Sequence, residues 1–131
     1  MPVAATSASP VFAALAASLA GLAVVAGAFG AHALQGHIDA TALQTWHTAV
    51  EYQIWHALAL LVVALHASRI RHARWVCGLF VVGIALFSGS LYALALGAPR
   101  MFGIVTPFGG VAFIAAWGLL AYGLRRRASE D

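Results

Sequence analysis

ALQTWHTAVEYQIWHALALLVVALHA, residues 42–67, is the stretch on which the fold turns. Residues 57–65 are wholly apolar, and the whole run is long enough to cross a hydrocarbon core about 30 Å thick, which takes roughly 20 apolar residues of helix. The first half is polar for a spanning helix, with Gln44, His47, Glu51, Tyr52, Gln53 and His56. Such a helix inserts most readily when neighbouring helices cover its polar side, so the stretch calls for companion spans.

The rest of the chain supplies three, over residues 10–34, 73–96 and 107–124. Ser9 and Pro10 suit the N-cap and first position of the first helix. Ala16, Ala20, Ala23, Gly27 and Ala31 recur there at spacings of three and four, as on faces where membrane helices approach closely. Gly36 follows as a C-cap glycine. Thr41 and Gln44 have capping-box spacing before the second helix. Gly97 and Pro99 end the third, and Thr106-Pro107 repeats the cap-then-proline start for the fourth. Glycines at 27, 30, 89, 109 and 110 are candidates for close helix packing (Gly27, Gly30, Gly89, Gly109, Gly110). The links are short, which favours antiparallel neighbours. The expected fold is all-α: one transmembrane domain over residues 1–131, an up-down-up-down bundle of four helices.

Composition agrees. The chain is 63% hydrophobic and 8% charged, against roughly 45–50% and 25% in soluble domains. So small a soluble domain could not hide that much apolar surface, so the bilayer is the expected partner. The basic residues are all arginine and lie between apolar runs rather than along one face, which argues against nucleic acid. Arg69, Arg71 and Arg74 flank the middle link, Arg125, Arg126 and Arg127 follow the fourth helix, and only Arg100 falls on the other side. That bias predicts an inner or plasma membrane protein with both termini cytoplasmic. Trp46 and Trp75 lie near helix ends, where interfacial aromatics belong. The N-terminal segment carries no basic residue before its apolar run, so that run reads as a retained helix rather than a cleaved signal. The lone Cys77 reads as a small buried hydrophobe.

Of four acidic residues, Glu130 and Asp131 are in the tail and Asp39 is in a link, leaving Glu51 as the one acid inside a span. An ionised carboxylate at mid-bilayer costs roughly 2.5–3.5 kcal/mol on insertion scales, so Glu51 is expected to face the bundle interior, protonated or paired. Antiparallel topology places His32, His47, Glu51, Tyr52, His56, Ser90, Tyr92 and Thr106 at similar depth in the non-cytoplasmic half. His47 and Glu51 are i,i+4 neighbours, as are Tyr52 and His56, on different faces of one helix. His37, His66 and His72 fall in or near links and read as solvated. Ser88, Ser90 and Thr106 read first as interhelical hydrogen-bonding groups. A metal could use His32, His47 and Glu51 if their helices packed together, and a haem would need two facing histidines; neither cofactor is demanded. There is no Ser-His-Asp order, phosphate loop or paired-carboxylate spacing, so no enzyme is indicated.

GAFGAHAL at residues 27–34, TAVEYQIWHALALL at 48–61, FSGSLYALAL at 87–96 and TPFGG at 106–110 resemble, in order and spacing, the small membrane-protein family called domain of unknown function 423 in bacteria and transmembrane protein 256 in animals. The resemblance implies a four-helix inner-membrane protein and no known activity. Its hallmark positions here would be Gly30, His32, Glu51, Tyr52, His56, Gly89, Ser90, Tyr92, Pro107 and Gly110. The leading expectation is a protein that binds or conducts a proton, ion or small polar or amphipathic ligand in the non-cytoplasmic half, with Glu51 as its ionisable centre and His32 as partner. The alternative is an accessory subunit of a membrane complex or a homo-oligomer, its polar cluster serving helix packing. A haem or metal redox protein is the third reading.

Overall fold

A computed structural model describes residues 9–128 of the chain, with side chains through Arg125. The N-terminal residues 1–8, the side chains of Arg126 and Arg127, and the tail acids Glu130 and Asp131 lie outside the described residues. Four helices are long and apolar enough to span a membrane: α1 (Pro10–Leu34), α2 (Ala40–Leu65), α3 (Ala73–Ala95) and α4 (Phe102–Ala128). There is no strand among the described residues. Two helices contain a π-helical turn, Gly30–Leu34 at the end of α1 and Ile84–Ser88 inside α3.

Two helix starts differ from the sequence expectation. The second helix begins at Ala40, because Asp39 is its N-cap: Asp39 Oδ1 accepts from the Ala42 N–H at 2.8 Å. A carboxylate both caps and favours the positive helix end, so it displaces the expected Thr41–Gln44 box. The fourth helix begins at Phe102, five residues before Pro107. Its entry turn is built by the N–H groups of Phe102, Gly103 and Ile104 donating to the carbonyls of Pro99, Arg100 and Met101. Pro107 therefore sits inside the helix at the cost of one backbone bond, and Thr106 is free to use its hydroxyl elsewhere. At the end of α3, Gly97 adopts φ +91°, with Ala98 N–H on Ala93 O at 2.9 Å and Gly97 N–H on Leu94 O at 3.1 Å. That is a Schellman stop, and it needs the left-handed conformation a glycine takes at no steric cost.

Successive helices run antiparallel, as the paired residues show. Along α1 and α2 the pairs are Ser9 with Ala64, Leu19 with Gln53 and Ala26 with Trp46. Along α3 and α4, Phe80 meets Trp117, Gly83 faces Phe113, Phe87 faces Gly109 and Ser90 meets Thr106. The main core lies between α2, α3 and α4 and includes Leu60, Val63, Val76, Cys77, Phe80 and Phe113.

The first helix is different: it packs chiefly on α2 and takes little part in that core. Lipid tails are as apolar as leucine, so no hydrophobic force holds such a helix in place. Small residues and hydrogen bonds must do so. Ala16 and Ala23 are buried and Gly27 lies against Val50, so the small-residue face is spent within the chain, while Ala31 is exposed. Three hydrogen bonds clasp α1 to α2 at its start, middle and end: Ser9 N–H to Ala64 O at 2.9 Å, Gln53 Nε2 to Leu19 O at 2.8 Å, and Trp46 Nε1 to Ala26 O at 2.8 Å. Trp46 is thus a buried anchor rather than an interfacial residue, whereas Trp75 is exposed near the arginine-bearing link.

Candidate functional site

Because α1 packs chiefly on α2, a groove opens between α1 and α3. It has a volume of about 570 Å³. Leu19, Leu22, Val25 and Phe29 form one wall, Ile84, Ala85 and Gly89 belong to the other, and Trp46 and Gln53 of α2 make the floor. It runs from mid-span toward the end of the bundle that carries the first and third links. No charged side chain and no histidine lines it.

The polar groups of the groove form one chain. The Tyr92 hydroxyl donates to Gln53 Oε1 at 2.7 Å, and Gln53 Nε2 donates to Leu19 O at 2.8 Å. Tyr92 also packs its ring on Trp46, centroids 4.6 Å apart. Beside them the buried Ser88 hydroxyl donates to Ala49 O at 2.8 Å. The second Gln53 amide hydrogen, the second lone pair of Gln53 Oε1 and the lone pairs of the Tyr92 oxygen remain. The floor can therefore offer both a donor and an acceptor to a guest, and no charge.

Gly30 sets the position of the floor. A Cβ there would stand 2.7 Å from Trp46 Cδ1 and 2.8 Å from Nε1, so only glycine lets the indole lie across the end of α1. Gly30→Ala is expected to push the ring aside, break its bond to Ala26 O and cost about 1–3 kcal/mol, as overpacking does. A lowered melting temperature together with red-shifted tryptophan emission checks this; unchanged emission would show that the indole keeps its place.

A second cluster lies behind the floor, between α2, α3 and α4. The His56 imidazole is buried and stacks on Phe113 with centroids 3.6 Å apart and planes 12° apart. Tyr52, Phe80 and Trp117 surround it. The Tyr52 carbonyl accepts from His56 Nδ1 at 2.7 Å, which fixes the Nδ1–H tautomer. Ser90 and Thr106 bond to each other at 2.6 Å, and the Ser90 hydroxyl also reaches Phe87 O in the π-helical turn.

The eight sequence candidates are therefore not one constellation. Tyr92 lies at the groove. Tyr52 and His56 belong to the aromatic cluster, and Ser90 with Thr106 joins α3 to α4. His47 is half-buried beside Gly30. Glu51 and His32 are corrections to the expected interior site, since both are exposed. The reason for Glu51 is angular: Trp46, Ala49, Gln53, Ala57 and Leu60 form the buried face of α2, and Glu51 lies on the opposite side. His32 sits in the π-helical turn that ends α1, whose buried residues are Gly30 and Leu34 rather than His32. Among the described residues no three His, Cys, Asp or Glu side chains converge, so His32, His47 and Glu51 do not form a ligand set. Of the packing glycines, Gly30 and Gly109 are held tightly, Gly27 and Gly110 are in ordinary contact, and Gly89 has nothing within 4 Å because it borders the groove. Gln53, the centre of the polar chain, was not among the candidates. Its signal was present in the stripe of small residues at 49, 57 and 64 on the same face.

The profile of a protein family of unknown function, DUF423, matches residues 26–110. A UPF0382 membrane protein of Haemophilus influenzae is 48% identical over 67 residues, covering 50% of this chain and 54% of that protein. The UPF0382 inner membrane protein YgdD of Escherichia coli K12 is 48% identical over 52 residues, 40% of each. A UPF0382 membrane protein of Staphylococcus saprophyticus is 50% identical over 52 residues, 40% of this chain and 43% of its own. The matched segment spans about half the length of these relatives or less. No solved structure matches the chain.

Proposed function

The chain belongs to the DUF423 family of proteins of unknown function, and from that premise we propose that it is a ligand-binding membrane protein whose groove takes a single-chain amphiphile from the bilayer. Following the arginine bias and the names of its relatives, we place it in the inner membrane with both termini cytoplasmic and the groove in the non-cytoplasmic half. The observation that carries the reading is the pairing of an apolar trough with the Gln53–Tyr92 hydrogen bond on its floor. Ligand sites are largely apolar, measure roughly 300–1,000 Å³ and contain a few placed polar groups; this groove has all three properties.

The size and chemistry of the groove narrow the occupant. From Leu19 to Phe29 it runs about 15 Å along α1 at about 1.5 Å per residue. A transmembrane helix about 10 Å across would displace about 1,200 Å³ over that length, twice the 570 Å³ present. One or two extended hydrocarbon chains fit better. A charged head would be stranded beside Gln53 and Tyr92, because burying an unpaired charge is costly. The guest is therefore a neutral amphiphile whose head both donates and accepts, a long-chain alcohol or a protonated fatty acid.

A photoreactive long-chain alcohol tests this on the full chain in lipid nanodiscs. Labelling is expected on peptides containing Leu22, Val25 or Ala85, and Ala85→Trp, which fills the trough, is expected to reduce it at least tenfold. Equal labelling of the filled variant, or labelling spread evenly over the lipid-facing surface, would overturn the proposal.

A further inference from the structure

The groove leaves Glu51 unused, and its surroundings pose a separate problem. It lies close to the middle of the 26-residue helix α2. Counted from Ala40 at about 1.5 Å per residue, it is about 16 Å along the helix, near the midplane of a core about 30 Å thick. Its face runs Gln44, Thr48, Glu51, Trp55, Leu58 and Val62, directly away from the buried stripe, and Trp55, Leu58 and Val62 are about half exposed. Within the described residues Glu51 makes no hydrogen bond and no ion pair. Acyl chains can supply neither. Ionisable groups within spans are seldom left to lipid; they face protein or water and find a partner.

We propose that this outward face of α2 is the interface with a second copy of the chain. Every copy inserts with the same orientation, so two copies related by an axis along the membrane normal present identical residues at identical depth. The occupant then brings a hydrogen-bonding carboxyl to the depth of Glu51. The pairing is self-complementary, as a two-fold interface requires. A protonated carboxyl both donates and accepts, and so does the Gln44 amide two turns nearer the membrane surface. Trp55, Leu58 and Val62 meet their counterparts below. Trp55 is already held by its contact with the Tyr52 ring, centroids 5.3 Å apart. The groove opens on the other side of α2, so pairing leaves it accessible to a ligand, and the two proposals stand or fall independently.

The test is the dimerisation constant of the full chain in liposomes, read by single-molecule photobleaching across a range of protein-to-lipid ratios. Glu51→Leu makes the face as apolar as lipid, and it is expected to weaken dimerisation at least tenfold with an unchanged melting profile, because the side chain supports nothing inside its own chain. Glu51→Gln retains a donor and an acceptor and is expected to stay dimeric. Cysteines placed singly at Thr48 and Leu58, with Cys77→Ala, are expected to cross-link two copies, whereas one at Val25 is not. A wild-type chain that is monomeric at every ratio, a Glu51→Leu variant as dimeric as wild type, or cross-linking through position 25 instead would each overturn the proposal; the first of these would assign the face to a different protein.

Discussion

Gly109→Val is expected to part α4 from α3. A Cβ on residue 109 would stand 2.8 Å from Phe87 Cα and closer still to the Phe87 backbone nitrogen. A flexible side chain could rotate out of the way; this neighbour is main chain, inside the π-helical turn Ile84–Ser88. The crossing cannot be relieved locally, because the same two helices are close on both sides of it. On one side Gly83 lies under the Phe113 ring, and on the other the Ser90 and Thr106 hydroxyls are bonded at 2.6 Å. Overpacking a fitted contact costs about 1–3 kcal/mol and occasionally more, and here the upper end applies. Gly110→Ala is the matched control, since its Cβ would meet only Phe87 ring atoms at 3.9–4.0 Å. It is expected to change stability by less than about 0.5 kcal/mol. Thermal unfolding in detergent, followed by the aggregation of labelled chain, distinguishes the two. Equal losses at 109 and 110 would show that the helices do not cross where the structure has them.

The four spans were legible because length and apolarity alone decide them. Residues 57–65 can be little else than the heart of a spanning helix, and the links are too short for anything but antiparallel neighbours. The direction in which α2 faces was harder to read. In a soluble protein the apolar side points inward, but in a bilayer both sides are apolar and that rule loses its force. Size carries the information instead. Ala49, Ala57 and Ala64 mark the side where the helices of one chain come close, while Trp55, Leu58, Val62 and Leu65 fill the outward side. Gln53 shares the alanine face and Glu51 is opposite it. The position of Glu51 on the helix, not its charge, sets the way it faces. The start of α4 was misplaced for a related reason: Thr106-Pro107 has the form of a cap, but the apolar residues 102–105 extend the helix back past it. Neither π-helical turn has a sequence signature of its own, yet Gly30–Leu34 falls within a string that carries the family resemblance and Ile84–Ser88 overlaps another at Phe87 and Ser88.

Gln53→Leu is expected to loosen α1 and disable the groove together. The substitution preserves volume while removing two hydrogen bonds. The Tyr92 hydroxyl loses its acceptor, and Leu19 O loses the donor that forms the middle of the three clasps on α1. An orphaned buried hydroxyl costs about 1–3 kcal/mol in protein interiors, and interhelical bonds in bilayers average about 0.6 kcal/mol, so a loss on the order of 2 kcal/mol is expected for the two. A general weakening of the fold would give no further pattern, but this network does. Tyr92→Phe removes the other partner of the same bond, so the double variant has nothing left unpaired at that point and should lose less than the two single losses added together. Coupling of about 1 kcal/mol between touching, bonded residues is ordinary, whereas strict additivity would mean that Gln53 and Tyr92 do not act on each other. The binding readout separates stability from function. Gln53→Leu should lose labelling by the photoreactive alcohol even below its melting temperature, because it removes the amide that offers a guest both a donor and an acceptor, whereas Tyr92→Phe leaves that amide in place and should keep more of it. If Gln53→Leu melts early yet is labelled as strongly as wild type, the amide fastens α1 and has no part in holding a ligand.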